Sequence, residues 1–145
     1  MRVSKMPVKF RETSPSTLSS QQECLRILLV EDDPLFVQML TVLLSNNRGP
    51  VDAVYDAHKA LDLLREQRYD LLITDIVMEG LSGVELIRTA LEEKLIDRRR
   101  IFVVTGLATN SPVLDPILKI GIRILPKPFT RQEFVEVLES TLREG

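Results

Sequence analysis

Residues 71–75 read Leu-Leu-Ile-Thr-Asp, an apolar run that ends directly in a carboxylate. A short run of this kind, without polar alternation, is typical of a strand buried on both faces of a parallel sheet. Open α/β sheets place their chemistry at the carboxyl ends of such strands. We therefore predict that Asp75 lies at the edge of the sheet where a ligand would bind.

A second apolar run also ends in acid. Residues 27–30 read Ile-Leu-Leu-Val and are followed by Glu31, Asp32 and Asp33. If the two strands are neighbours, these carboxylates converge with Asp75 and repel one another unless a cation lies among them. Oxygen donors at a partly open site suit Mg²⁺, which keeps some water and pairs with phosphate. The sequence therefore predicts a Mg²⁺ site at this edge.

Strand and helix signals alternate from Arg26 onward. The predicted strands are residues 26–30, 51–54, 71–74, 101–105 and 122–125. The signals that begin helices are Asp33-Pro34, Asp56, Ser82–Glu85, Ser111-Pro112 and Thr130–Glu133. Pro116 removes a backbone donor within the fourth helix, so we expect that helix to be irregular or to begin late. The pattern predicts an α/β domain with a doubly wound, five-stranded parallel sheet and right-handed crossovers.

Composition excludes several classes of protein. Apolar residues make up 44% of the 145 residues, which is enough for a core, and the net charge of −2 argues against bulk binding to nucleic acid or an anionic membrane. The one cysteine, Cys24, cannot form an intrachain disulfide, which fits a reducing compartment. There is no signal-peptide pattern and no apolar run near the roughly 20 residues that span a bilayer. We expect a cytoplasmic protein.

Residues 1–24 differ from the rest in composition. They are rich in Ser, Thr, Gln, Lys and Arg and show no sustained periodicity. One interpretation is a flexible tail. The other is a docking segment, in which residues 8–10 (Val-Lys-Phe) add a short strand or an anchor. We expect residues 25–145 to form the domain.

Together these motifs resemble the response-regulator receiver domain of two-component signalling, over about residues 25–142. The matching motifs are Glu31-Asp32-Asp33-Pro34, Asp75, Gly80-x-x-Gly83, Thr105-Gly106 and Lys127-Pro128-Phe129. Each motif is weak alone, but their order and spacing make the set specific. The resemblance implies a flavodoxin-like (βα)5 fold.

The resemblance also implies a role for each matched residue. Asp75 would be the phosphoacceptor, and the Thr105 hydroxyl would bond a phosphoryl oxygen. Lys127 would pair first with Asp75 and then with the phosphoryl group. The oxygen ligands for Mg²⁺ would come from Glu31, Asp32, Asp75 and the backbone carbonyl of Val77. The peptide bond between Lys127 and Pro128 would be cis.

The chain departs from the family pattern in two places beside the site. Glu79 precedes Gly80 where the family has proline, and its charge would either weaken phosphodonor or Mg²⁺ binding or face solvent. Ile124 replaces an aromatic residue that swings inward on activation. A coupled switch between Thr105 and an aromatic side chain therefore cannot operate in its usual form.

Two apolar residues, Val77 and Leu107, flank the expected phosphoryl position. We expect them to exclude the attacking water and to slow self-dephosphorylation. Gly106 and Pro128 complete the region expected to rearrange on activation. The single histidine, His58, is expected on a solvent-facing helix surface.

The implied function is that of a stand-alone receiver, because no output-domain motif follows the last helix. Asp75 would accept a phosphoryl group from a histidine kinase or a phosphotransfer protein, and the domain would catalyse only its own phosphorylation and dephosphorylation. A downstream protein would bind the face formed by the fourth helix, fifth strand and fifth helix. Apolar residues there are Leu114, Ile117, Leu118, Ile120 and Ile122, and some of them must belong to the core. The first helix, with Leu35, Phe36 and Met39, would face the kinase, although most of its apolar residues are expected in the core.

Other partners are expected as follows. Homodimer formation stays open, and neither nucleic acid nor membrane is expected as a direct partner. Residues 98–100 (Arg-Arg-Arg) are expected to form a solvated loop or to contact an acidic partner surface.

Two other functions stay open. A phosphorylation-independent interaction or dimerisation module would keep the fold without the switch, although the retained acidic and basic site residues argue against it. A phosphohydrolase could also use Asp75 as its nucleophile. Such enzymes usually carry a second acid two residues later, where this chain has Val77.

Overall fold

A computed structural model of the protein describes residues 24–144 and shows five parallel strands in one sheet, in the order β2-β1-β3-β4-β5. The strands are β1 (Ile27–Val30), β2 (Val51–Val54), β3 (Leu71–Thr74), β4 (Ile101–Thr105) and β5 (Arg123–Pro126). The helices are α1 (Pro34–Leu43), α2 (Ala57–Glu66), α3 (Gly83–Glu92), α4 (Asp115–Lys119) and α5 (Arg131–Glu144). The doubly wound, flavodoxin-like prediction is confirmed. The predicted tail lies outside the described residues, except for Cys24, which is exposed.

The sheet has a hydrophobic cluster on each face. Successive side chains of a strand point to opposite faces, so Leu28 packs in one cluster and Leu29 in the other. One cluster includes Val37 of α1 and Phe134 of α5. The other includes residues of α2, α3 and α4. Within residues 24–144, no helix combines the length and apolar character needed to cross a bilayer.

The predicted helix starts agree with the structure. The Asp33 side chain accepts a hydrogen bond from the Leu35 amide before α1, and Asp56 accepts one from the Lys59 amide before α2. At α5 the capping is reciprocal, because Thr130 and Glu133 each accept a bond from the other's amide, at 3.0 and 2.8 Å. Local capping chemistry therefore fixes where these helices begin.

The fourth helix is irregular, as Pro116 predicts. Ser111 caps a one-turn 3-10 helix at Pro112–Leu114, and α4 begins only at Asp115, with Pro116 in its first turn. The strand that follows is displaced from its predicted bounds. It begins at Arg123 rather than Ile122, because the ladder with β4 starts at the pair of Phe102 and Arg123.

The three arginines at residues 98–100 form a one-turn 3-10 helix and not the expected loop. Asp97 caps this turn by accepting a bond from the Arg99 amide at 2.8 Å. The Arg98 guanidinium donates to the carbonyl of Ile120 at 3.1 Å, which connects the turn to the end of α4. Arg98 and Arg99 are nevertheless exposed, in line with the solvated position expected for the run.

Candidate functional site

Glu31 and Asp75 emerge side by side from neighbouring strands. The register pairs Val30 with Thr74, the last residues of β1 and β3. The Asp75 amide continues this ladder by donating to the Val30 carbonyl at 3.0 Å. The expected convergence of the two acidic strand ends is therefore observed.

Three carboxylates meet at this edge of the sheet. Oxygen atoms of Glu31, Asp32 and Asp75 all lie within 4.8 Å of one another. Glu31 is 1% exposed and Asp75 is 6% exposed, whereas Asp32 is open to solvent. Oxygen donors with one open side fit a hard cation such as Mg²⁺, which retains water ligands. The fourth expected ligand, the Val77 carbonyl, stays a prediction.

Lys127 provides the positive charge next to these acids. Its Nζ donates to Glu31 Oε1 at 3.0 Å and to Asp75 Oδ2 at 3.1 Å. The peptide bond between Lys127 and Pro128 is cis, as the resemblance implied. The side chain of Lys127 is 22% exposed, so water screens both ion pairs only partly.

The pKa values of Glu31 and Lys127 both lie above their ordinary values. Burial raises the pKa of Glu31 and the Asp75 charge adds to this, while hydrogen bonds from Lys127 and from the Asp33 amide oppose it. Burial lowers the pKa of Lys127, but its bonds to Glu31 and Asp75 outweigh that effect. Lys127 therefore keeps its positive charge, whereas ionisation of Glu31 costs free energy in this site.

Thr105 is fully buried at the end of β4 and is tied to Lys127. The Lys127 amide donates to the Thr105 carbonyl at 2.8 Å. The Thr105 Oγ1 accepts a bond from the Leu107 amide at 3.2 Å, so its own proton is free to be donated elsewhere. The backbone thus couples the two residues that are expected to contact a phosphoryl group.

The backbone behind Asp75 is held closely in place. Asp75 Oδ1 accepts a bond from the Ile76 amide at 2.6 Å, and the Thr74 hydroxyl donates to the Asp75 carbonyl at 2.7 Å. The Gly83 amide donates to the Ile76 carbonyl at 2.9 Å. A side chain at Gly83 would collide with the Asp75 carbonyl, which explains this glycine of the motif. Gly80 has a φ of 81°, a conformation that favours glycine.

The residues expected around the phosphoryl position differ in exposure. Val77 is 59% exposed, and Leu107 is half-buried against the hydrophobic cluster that includes α4. Ile124 is half-buried opposite Val103 of β4. Glu79 is exposed, in line with the expectation that its charge faces solvent. Two more residues of the expected switch region, Gly106 and Pro128, are also exposed.

An aromatic group below Lys127 was not predicted. The Lys127 ammonium lies 4.1 Å from the ring centroid of Phe36, a cation–π contact. Phe36 packs edge-on against Phe129, which stacks on Phe134. Phe36 was grouped with the kinase-facing residues of the first helix, but it is half-buried. The phenylalanine of the Lys127-Pro128-Phe129 motif was a signal for an aromatic group here, but nothing local indicated that Phe36 would join it.

The apolar residues assigned to the face of α4, β5 and α5 divide between core and surface, as expected. Leu114, Ile117 and Ile122 are buried in the core. Leu118 and Ile120 are 49% and 38% exposed. Only the last two can therefore contact a partner without rearrangement.

Sequence comparisons place this geometry in a known family. The family model described as the response regulator receiver domain matches residues 27–139. The chain is 33% identical to transcription factor SKN7 of Saccharomyces cerevisiae, over 81% of this chain and 19% of that protein. It is 32% identical to the transcriptional regulatory protein TctD of Salmonella typhimurium, over 83% of this chain and 53% of that protein. The chain thus spans about half or less of the length of these regulators.

A shorter relative has nearly the same extent as the domain. The response regulator receiver protein CpdR of Brucella abortus is 32% identical over 81% of this chain and 96% of that protein. This match covers a whole protein and not one part of a longer regulator.

Solved structures agree with this assignment. FixJ-N is 26% identical with a TM-score of 0.70, over 83% of this chain and 95% of that one. TrrA of Thermotoga maritima, solved in complex with Mg²⁺-BeF, is 25% identical with a TM-score of 0.68, over 81% and 99% of the two chains. A CheY-like receiver protein of Methanospirillum hungatei, 22% identical with a TM-score of 0.73 over 84% and 96%, shares the fold. The chain belongs to the response regulator receiver domain family of two-component signalling.

Proposed function

We propose that Asp75 accepts a phosphoryl group, in a Mg²⁺-dependent reaction, from a histidine kinase or a phosphotransfer protein. The observation that carries this proposal is the setting of Asp75. It is a nearly buried carboxylate at a strand end, 3.1 Å from the Lys127 ammonium and grouped with Glu31 and Asp32. A nucleophile, a fixed cation and a cluster of oxygen donors are the parts that phosphoryl transfer needs.

The chemistry follows from these groups. An Asp75 carboxylate oxygen attacks phosphorus and forms an acyl phosphate. The bond from phosphorus to the donor imidazole nitrogen breaks, and that nitrogen keeps the electron pair. Bound Mg²⁺ would supply positive charge against the phosphoryl oxygens. Lys127 lies 3.1 Å from Asp75 Oδ2, so its ammonium can pair with a phosphoryl group on Asp75 after only a small movement.

The proposed switch starts from the coupling of Thr105 and Lys127. After transfer, the Thr105 hydroxyl donates to a phosphoryl oxygen and Lys127 pairs with the new charge. Because the Lys127 amide is bonded to the Thr105 carbonyl, movement of one strand end pulls on the other. The shift reaches α4 and β5, where Leu118 and Ile120 offer apolar surface to a downstream protein.

We also propose that the domain acts through protein contacts, without turnover of an external substrate. The correspondence with almost the whole of CpdR supports a stand-alone role. The longer transcription regulators among the relatives support the contrasting role of one part in a larger regulator.

The test is intact mass after incubation with Mg²⁺ and acetyl phosphate, beside an Asp75→Asn variant. We expect the wild type to gain one phosphoryl group, and we expect no gain in the variant or after chelation of Mg²⁺. No gain in a wild-type protein that is folded by circular dichroism would rule out the phosphoacceptor role.

A second candidate is an interaction module that does not use phosphorylation. The observation that favours it is Ile124, a half-buried aliphatic residue where the family has a mobile aromatic one. This candidate predicts that Asp75→Asn leaves partner binding unchanged. The phosphoacceptor proposal predicts that binding to the target responds to acetyl phosphate in the wild type alone.

A further inference from the structure

Helix α1 has an unusual surface for a helix at the outside of a domain. Among the α-helices within residues 24–144, α1 alone has no charged side chain. Leu35, Met39 and Val42 are 74%, 39% and 63% exposed. Their spacing of four and three residues puts them on one side of the helix, and we call them the α1 stripe. A continuous apolar stripe of this kind marks a binding surface.

The chain enters the domain beside the carboxyl end of this stripe. The Leu25 amide donates to Asn47 Oδ1 at 3.0 Å, and Asn47 Nδ2 donates back to the Leu25 carbonyl at 2.9 Å. Asn47 lies just after α1, which ends at Leu43. A side chain at Gly49 would collide with the backbone of Leu25, so the two segments are in close contact. Residues 1–23 therefore precede a point fixed next to α1.

The amino-terminal segment matches the α1 stripe in chemistry. Its first 11 residues hold four basic residues and no acidic one, and apolar residues stand between the basic ones. The apolar residues are Val3, Met6, Val8 and Phe10. The chain as a whole has 19 basic and 21 acidic residues; residues 1–23 hold four and two of these, which leaves 15 and 19 in residues 24–145. Asp32 and Asp33 are exposed at the amino end of α1, where basic side chains would find partners.

The reach of the segment is sufficient. The 10 residues of α1 span about 15 Å at 1.5 Å per residue. Phe10 lies 14 positions before Cys24, and an extended chain of that length spans up to about 46 Å. The segment can therefore pass along the whole of α1, from its carboxyl end to the acidic residues at its amino end.

We propose that residues 3–11 of the chain dock on the α1 stripe. Their apolar side chains cover Leu35, Met39 and Val42, and their basic side chains face Asp32 and Asp33. This contact goes beyond the proposed function, because it needs neither Mg²⁺ nor a phosphoryl group. It also places the segment on the surface next to Asp75, where a phosphodonor protein would approach.

The test uses the full chain with a nitroxide at position 4, made by Ser4→Cys in a Cys24→Ser background, and isotope-labelled methyl groups. We expect the methyl signals of the α1 stripe to lose most of their intensity through paramagnetic broadening. Those of Val113 and Leu118, which are 50% and 49% exposed near α4, should keep theirs. Adding Val8→Ser and Phe10→Ser to the same chain should restore the stripe signals.

Three results would overturn the proposal. The first is an unchanged α1 stripe, and the second is equal broadening of the α1 stripe and of the residues near α4. The third comes from a mixed sample, in which the nitroxide and the isotope label are on different molecules. Broadening of the α1 stripe in that sample, as strong as in the doubly labelled chain, would show that a second copy of the chain covers it.

Discussion

The two ends of the sheet handle charge in opposite ways. At the carboxyl end, three carboxylates lie close together, and Lys127 pairs with the two that are nearly buried, Glu31 and Asp75. At the amino end, Arg26 bonds the Gln67 side chain at 2.9 Å and lies 3.7 Å from Asp52, with both charged side chains more than a third exposed. The Tyr69 hydroxyl donates to the same Asp52 at 2.5 Å.

The amino end of the sheet contributes to stability, whereas the carboxyl end is arranged for binding. At the amino end, each charge has a partner and access to water, so the cluster holds strand ends together at little electrostatic cost. At the carboxyl end, negative charge is in excess where water is scarce, which raises the pKa of Glu31 through burial first and through Asp75 second. Imbalance of this kind is typical of sites that bind a cation or an anionic group in turn. Substitutions at the two ends should therefore have contrasting effects.

The largest effect is expected from Lys127→Met. The change removes the one ammonium that contacts both Glu31 and Asp75, so the charge that develops in transfer loses a fixed partner. We expect the initial rate of phosphorylation by acetyl phosphate to fall about 100-fold, the usual cost of losing one electrostatic contact to a transition state. The rate is measured by intact mass over time. Lys59→Met, at an exposed position of α2, is the matched control and should retain the wild-type rate.

Glu31→Gln should weaken Mg²⁺ binding while it stabilises the fold. Loss of one of three carboxylates is expected to lower Mg²⁺ affinity by about tenfold, or about 1.4 kcal/mol, in calorimetric titration. Removal of a buried, costly charge should raise the free energy of unfolding at pH 7 by about 0.5–2 kcal/mol, the usual range for a stabilising substitution. A variant less stable than the wild type would contradict the inference that the Glu31 charge destabilises the folded state.

The stabilisation by Glu31→Gln should depend on pH. The pKa of Glu31 is raised in the folded protein above its ordinary value of 4.5, so the folded state binds the proton more tightly than the unfolded state does. Its favourable contribution is then complete below pH 4.5 and is lost as the pH rises through the folded-state pKa. The wild type and the variant should therefore have similar stability at pH 4 and diverge towards pH 7. Urea denaturation at both pH values measures this, and a constant difference would contradict it.

Polar replacements at Val77 and Leu107 should shorten the lifetime of the phosphoryl group. Asn and Glu at these positions would hydrogen-bond and orient the attacking water, which the apolar side chains keep away. We expect Val77→Asn with Leu107→Glu to speed loss of the phosphoryl group by about fivefold, which needs about 1 kcal/mol. The loss is followed by mass after the phosphodonor is removed. Val113→Asn, at a 50% exposed position near α4, is the control, and an unchanged lifetime in the double variant would refute water exclusion.

The smallest effect is expected at the amino end, from Tyr69→Phe. Loss of the bond to Asp52 should cost about 1 kcal/mol of unfolding free energy and leave phosphorylation unchanged. Burial, together with the bond and charge of Asp52, raises the pKa of Tyr69 to about 12. Since this value lies above the ordinary 10.0, the stability from the tyrosine is complete below pH 10 and is lost as the pH rises through 12. Denaturation at pH 8 and pH 11.5 measures the stability cost and its dependence on pH. A slower phosphorylation of the variant would show that the amino end of the sheet also contributes to function.

The helices and strands were predictable because they depend on local capping chemistry and hydrophobic pattern. The convergence of the carboxylates at one edge was predictable because parallel strands end on the same side of a sheet. Asp33 and Thr130 cap helices through bonds to residues two or three positions away, and parallel strands must end at one edge. The rotation of α1 was not predictable in this way. Leu35 and Phe36 are adjacent and both apolar, yet one is 74% exposed and the other lies below Lys127. Phe36 packs against Phe129 and the core cluster on that face, contacts with residues distant in sequence that Leu35 does not share.

Position 83 limits how the loop after Asp75 can evolve. Any side chain at Gly83 would displace the carbonyl of Asp75. The Gly83 amide closes the loop by donating to the Ile76 carbonyl at 2.9 Å. The length of the segment at residues 77–82 is therefore constrained, whereas the exposed side chains of Val77 and Glu79 are not. Glu79 is exposed and illustrates that freedom. In a library of variants, insertions and deletions in this loop should be purged together with every substitution of Gly83, whereas replacements at residue 79 should persist.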